Sequence, residues 1–141
     1  MAMLHMANDS GAFRTQAELT AASMTLDGNR FRAENLIHLP LVEAKMVHHF
    51  DHRFGTYEGQ TEAQENQGKL PEFDAVAHAD ATRLTQPYYW VDSAEVTERL
   101  KERWSRAWLL GWRDICRSTD QRTVIASLFQ RAAVGHTTPL M

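Results

Sequence analysis

The sequence predicts an α+β fold, a small mixed domain of short antiparallel strands, two or three helices and a long polar loop. Three observations carry this. Asp27 and Gly28 separate two short runs, 23–26 and 29–33, which is a strong local hairpin signal. From Asp92 a capping pattern opens onto Val96, Leu100 and Trp104, spaced every four residues as on one helix face. Strand-like runs outnumber helices over the second half of the chain. The 141 residues leave room for one domain with an ordinary core. Hydrophobic content of 43% and charged content of 23% exclude disorder along the whole chain.

Taken in order, Thr15 and Glu18 fit a capping box, which predicts a short helix over about 16–22. The hairpin follows. Leu36-Ile37-His38-Leu39 reads as a strand, and Pro40 places it at an edge or a bulge. Residues 43–50 read as a helix or as the continuation of a strand. Residues 58–86 form a polar insert without the aliphatic spacing of a core, and a loop of that length is functional or mobile. Tyr88-Tyr89-Trp90-Val91 is a strand candidate. The helix from Asp92 carries a favourable pair, Glu95 with Arg99. Residues 108–112 read as a buried strand, 118–121 as a turn and 123–129 as a β-branched strand. The aromatics at 88–90, 104, 108 and 112 are expected in the core rather than as base-stacking platforms.

One cysteine, Cys116, excludes an intramolecular disulfide and a multi-cysteine zinc site. The first twenty residues lack a basic start followed by an apolar run, and no stretch approaches the ~18 apolar residues of a membrane span. The expectation is a soluble, cytoplasmic protein with no membrane partner. Net charge is −3 but unevenly spread. Residues 58–80 carry six acids against Lys69 alone, whereas 103–131 carry six arginines against Asp114 and Asp120. A phosphate backbone responds to local charge, so a basic face on an acidic protein is informative. Arginines that are solvated or internally paired are the ordinary alternative, and composition alone favours it.

Standard catalytic motifs are missing. The chain has no G-x-G, no phosphate-binding loop of the G-x-x-x-x-G-K-[ST] type, no adjacent prolines and no G-x-S-x-G elbow. The most chemically loaded stretch is His48-His49-Phe50-Asp51-His52-Arg53. On a helix, His48 and His52 share a face and could chelate a metal with Asp51, the basis for a small metal-dependent hydrolase. On a strand, His48 and Phe50 share one face, His49 and Asp51 the other. The same residues could bond only to backbone and solvent, or Lys45, His48, His49, His52 and Arg53 could donate to phosphates and base edges. The residues alone leave these three readings open.

Several stretches in fixed order resemble one family. These are MLHMANDSGAFRT, LPLVEAKMVHHFDHRFGTYEGQTEAQ, NQGKLPEF, YYWV, WLLGWRDI and QRTVIASL. They are similar to a section of the large adenine-specific DNA methyltransferases of single-chain restriction–modification systems and BREX-type phage defence. In that family a Rossmann-like catalytic domain using S-adenosylmethionine precedes a target-recognition domain. The resemblance covers nearly the whole chain and implies a segment just after the catalytic domain. It implies four parts: a tail or connector (1–35), the entry to the recognition region (36–57), the polar insert (58–86) and a partial recognition region (87–141).

The cofactor loop and the [DNS]-P-P-[YFW] motif would lie upstream, so no S-adenosylmethionine site and no methyl transfer are expected in this chain. The sequence departs from the family at Leu41-Val42-Glu43, where Leu-Tyr-Glu is frequent. It also departs at 129–135, which lacks an I-P-R-V-G-V-G pattern, and at Cys116, a position usually small and polar. The implied partner is double-stranded DNA, weakly bound in isolation, contacted through Lys45, His48, His49, His52, Arg53, Arg113 and Arg122. Arg113 beside Asp114 could instead form an internal ion pair, and Arg122 reads more readily as the start of a strand. Apolar strands left half-exposed would favour a homodimer.

Overall fold

The computed structural model covers residues 1–141 and is an α+β domain. The capping box forms: Thr15 accepts from the Glu18 amide (3.3 Å) while Glu18 accepts from the Thr15 amide (2.7 Å), and α1 (Gln16–Ala21) starts there. β1 (Thr25–Asp27) and β2 (Arg30–Ala33) pair antiparallel with Asp27 opposite Arg30. The two-residue loop is therefore Gly28-Asn29, one position later than the Asp-Gly pair. Gly28 sits at φ +63°, a left-handed value that glycine takes without a Cβ clash.

β3 (Leu36–Val42) is longer than expected, and Pro40 stands inside it at a point where one side of the strand has no partner, a local edge. Antiparallel partners flank β3 on two sides, β2 over Leu36–His38 and β4 (Trp90–Asp92) over His38–Pro40. A parallel partner, β7 (Ala133–Val134), joins at Leu41 and Val42. The amide of Leu41 donates to Tyr89 O (2.9 Å) on the β4 side. Backbone groups alternate along a strand, so the nitrogen of Pro40 faces the opposite edge. That edge is where β2 has ended and β7 has not begun. A central proline is tolerated because no ladder bond is due at that position.

The pleat sorts this sheet into two cores. Phe31 and Trp90 lie on one face with Leu19 of α1 and Met24, the two rings meeting edge to face at 5.0 Å. Leu39, Leu41 and Val91 lie on the other, under Val96 and Leu100 of α4 (Ser93–Leu100). The side chain of Asp92 caps α4 by accepting from the Ala94 amide (2.8 Å). Arg99 pairs with Glu95 (2.7 Å) as expected, and also with Asp9 (2.8 Å) and the Met3 carbonyl (2.8 Å), tying the N-terminal segment to the helix. α4 ends at Leu100. Trp104 lies beyond it, half-buried against the same core.

β5 (Trp108–Trp112) and β6 (Ala126–Gln130) form a separate antiparallel pair. Leu109 and Phe129 point into the main core. The outer face is apolar, with Trp108 43% and Leu128 55% exposed. So 108–112 is amphipathic rather than buried, and the strand expected from 123 begins at Ala126. Trp90 is in the core as expected, whereas Tyr88 and Trp108 are exposed. The polar insert is not an irregular loop. It holds α2 (Glu62–Asn66), started by a Thr61–Gln64 capping box, and α3 (Ala75–Ala79), capped by Asp74. Leu70, Phe73 and Ala77 are its buried anchors, too widely spaced to register as periodicity. No helix is long and apolar enough to cross a membrane.

His38 of β3 stands half-buried between Phe31 and Asp92, with its Nδ1 shut away from any partner. Burial holds its pKa below 6.5 against the pull of Asp92, and burial likewise lowers that of His52. A folded pKa below the unfolded one means the unfolded chain binds more protons as pH falls. Stability should therefore be full above 6.5 and decline as pH drops from there toward the folded values. Denaturant midpoints measured between pH 7.5 and 5 should fall, and less so in His38→Leu. A midpoint that rises over that interval contradicts the assignment.

Candidate nucleic-acid interface

Residues 43–57, the most loaded stretch of the sequence, are neither helix nor strand. A 3₁₀ turn spans Ala44–Met46. His48 and Asp51 then close a tight turn, each amide donating to the other's carbonyl (2.7 and 2.9 Å), with Phe50 at φ +58°. Chain reversal at 49–50 separates His48 from His52, so the shared helical face needed for a chelate does not form. No group of three or more His, Cys, Asp or Glu side chains is placed to hold a metal ion. Gly55 brings this segment back against itself. A Cβ there would meet the Lys45 carbonyl oxygen at 2.5 Å, so only glycine fits.

Two arginines expected to face DNA are spent on the backbone. Arg53 donates to three carbonyls at the end of α3, those of His78 (2.8 Å), Asp80 (2.8 Å) and Arg83 (3.0 Å). Beside it Asp51 contacts His78 Nε2 at 3.0 Å and accepts from the Arg53 amide (2.9 Å). Together these pin the insert to the 48–53 turn. Arg113 donates through Nε and Nη2 to Val47 O (3.0 and 2.6 Å) and forms no pair with Asp114. Its guanidinium lies 5.7 Å from the Phe54 ring centroid. Burial draws its pKa below the usual guanidinium range, partly offset by Asp120, Cys116 and Glu72. It remains a cation, since a guanidinium titrates far above neutrality.

Arg113 joins the 43–57 segment to the loop between β5 and β6, and an open cleft of about 720 Å³ lies between them. Lys45, His48, Lys69, Arg113 and Arg117 line it, against Glu72 and Asp120. Lys45 stands 3.9 Å from Glu43 and over the Tyr57 ring at 4.9 Å. Tyr57 donates to Glu43 (3.0 Å), and burial followed by the Glu43 charge raises its pKa well above the phenol range. The expected site is thus partly assembled. Lys45, His48 and Arg113 converge, and Arg122 is exposed on the adjoining loop. His49 turns back to β6, where its Nδ1 lies 3.5 Å from the Ala126 amide. His52 lines a separate narrow notch with Arg30 and Arg131.

Two lining residues, Lys69 and Arg117, escaped sequence reasoning. Arg117 belongs to the arginine-rich stretch whose charge was visible, while Lys69 was masked by six acids around it. None of the six arginines at 103–131 forms a salt bridge. Of the two ordinary alternatives, internal pairing is absent, and Arg103, Arg106, Arg117 and Arg122 are exposed to solvent. Asp120 instead accepts from the Arg117 amide (2.7 Å), closing the turn at 117–120.

The chain matches no protein-family model, no curated protein and no solved structure.

Removing the Arg53 side chain takes the donor from the His78 and Arg83 carbonyls, while Asp80 O keeps the Arg83 amide (3.2 Å). Arg53→Ala should destabilise by roughly 1–3 kcal/mol, the cost of stranding acceptors that a charged donor served. Amide exchange should rise first over 74–86, with α4 unaffected at early times. Uniform acceleration across the chain would show that Arg53 does not tie the insert locally.

Proposed function

We propose that this chain is a non-catalytic connector and partial target-recognition segment of an adenine-specific DNA methyltransferase, contacting duplex DNA through the cleft between 43–57 and 113–125. One observation carries the reading: cations from three distant parts of the sequence meet at this cleft. They are Lys45, Lys69 and the Arg113–Arg117 pair. Arg106, Arg117 and Arg122 support it, because their guanidinium groups make neither a salt bridge nor a side-chain hydrogen bond and are free to neutralise phosphates, whereas Arg113 and Arg131 are bonded to carbonyls. The ordered stretches that resemble the family supply the parent enzyme.

S-adenosylmethionine does not fit these residues. The glycines never stand as G-x-G, and β4 enters α4 directly through Asp92 and Ser93 rather than through a glycine-rich turn. The cofactor and the methyl transfer therefore belong to the parent's catalytic domain, and no step is assigned to this chain. The exposed Trp108 and Leu128 on the outer face of β5 and β6 are the apolar surface through which a homodimer would form.

Fluorescence anisotropy against a labelled duplex tests the DNA reading. Affinity should fall steeply between about 50 and 200 mM salt, with a log–log slope of roughly −0.9 per phosphate neutralised. Arg117→Ala should weaken binding to all sequences alike and reduce the slope by about one. Absent or salt-independent binding contradicts the proposal, as does an Arg117→Ala slope equal to the parent's.

A further inference from the structure

Phe50 is 85% exposed, more than any other large hydrophobic residue of the chain, and its backbone stands at φ +58°. A bulky side chain in the left-handed region is strained, and such strain persists only where surrounding bonds over-determine it. Here they do. The reciprocal His48–Asp51 bonds close the turn from both sides, and the Phe50 amide donates to Ala126 O of β6 (2.9 Å). The fold therefore holds a phenyl ring out in water on a rigid two-residue tip. The His49 ring leans against it, with centroids 4.2 Å apart. Burial cannot account for this, since hardly any of the ring is covered, and glycine would satisfy the turn more cheaply.

The turn also has a fixed relation to the cleft. His48, one end of the turn, lines the cleft alongside Lys45 and Arg113, and Val47 immediately before it receives the Arg113 guanidinium. The tip thus adjoins a cation-lined groove through His48, while Phe50 itself stands outside the groove's lining beside Ala126 of β6.

We propose that Phe50 is a wedge that inserts between base pairs of the duplex held at this cleft, partly unstacking one step. Apolar side chains carried on rigid protrusions beside phosphate-binding cations act on duplex DNA in this way. The inference rests on the DNA reading above and deepens it by naming the residue that deforms the duplex. No bond is made or broken. The ring exchanges water for base faces, and the neighbouring cations hold the phosphates on either side.

The experiment uses the full chain and a duplex carrying 2-aminopurine, whose fluorescence rises when its stacking is lost. Binding should raise the signal. Phe50→Ala and Phe50→Gly should abolish the rise and weaken binding at least about 5-fold, the low end of what losing a base-stacking aromatic costs. Phe50→Gly should also unfold at the same or a higher temperature, because glycine relieves the backbone strain. Two results overturn the wedge while leaving the DNA reading intact: saturable binding without any fluorescence rise, or a rise that survives in both variants. A lowered unfolding temperature in Phe50→Gly would make Phe50 a packing residue and overturn it as well. Failure of the unaltered protein to bind any duplex removes the DNA reading and the wedge together.

Discussion

Pro40 has no amide hydrogen to offer a neighbouring strand, and the edge it faces is the one where β2 stops and β7 starts. Much of the molecule is arranged around that lack. β3 can take an antiparallel partner over its first half and a parallel one over its last two residues because the proline lies at the changeover. The parallel partner, β7, follows directly on β6, so the second sheet is delivered to the end of β3. From there β3 runs into the 43–57 segment. The cleft is lined from 44–54, the insert at 64–72 and the β5–β6 loop at 113–120.

The cleft walls are then fixed by guanidinium groups acting on backbone oxygens. Arg53 gathers three carbonyls of the insert, and Arg113 reaches across to Val47. Each supplies a donor to carbonyls of irregular segments, of which those of His78 and Val47 are part-buried. Of the remaining cations, Lys69 and Arg117 form no salt bridge, while Lys45 stands 3.9 Å from Glu43. Four cations, Lys45, Lys69, Arg113 and Arg117, thus line one cleft with Glu72 and Asp120 in a protein whose net charge is −3.

How much of this was legible depended on whether the signal was local. The Thr15 capping box, the hairpin and α4 were readable because neighbours in sequence make the bonds. Pro40 signalled an unpaired side of the strand, but that the gap lies within a strand paired before and after it depends on partners a one-dimensional reading cannot see. The 58–86 insert misled for a related reason. Leu70, Phe73 and Ala77 anchor it singly, and the arginine that ties it down comes from residue 53. At the site, residue types were found but not their duties. Arg53 and Arg113 are chemically suited to phosphates, yet long-range geometry commits them to carbonyls. Phe50 carries no signal of its own in the sequence, because its left-handed backbone is a property of the closed turn.

Amide hydrogen exchange of the full chain with and without duplex DNA tests the central claim most directly. The account predicts that DNA slows exchange over 43–57 and 113–123, the two walls of the cleft, and leaves the β1–β2 hairpin at 25–33 unchanged. Protection confined to the hairpin, or none anywhere at saturating duplex, would contradict it.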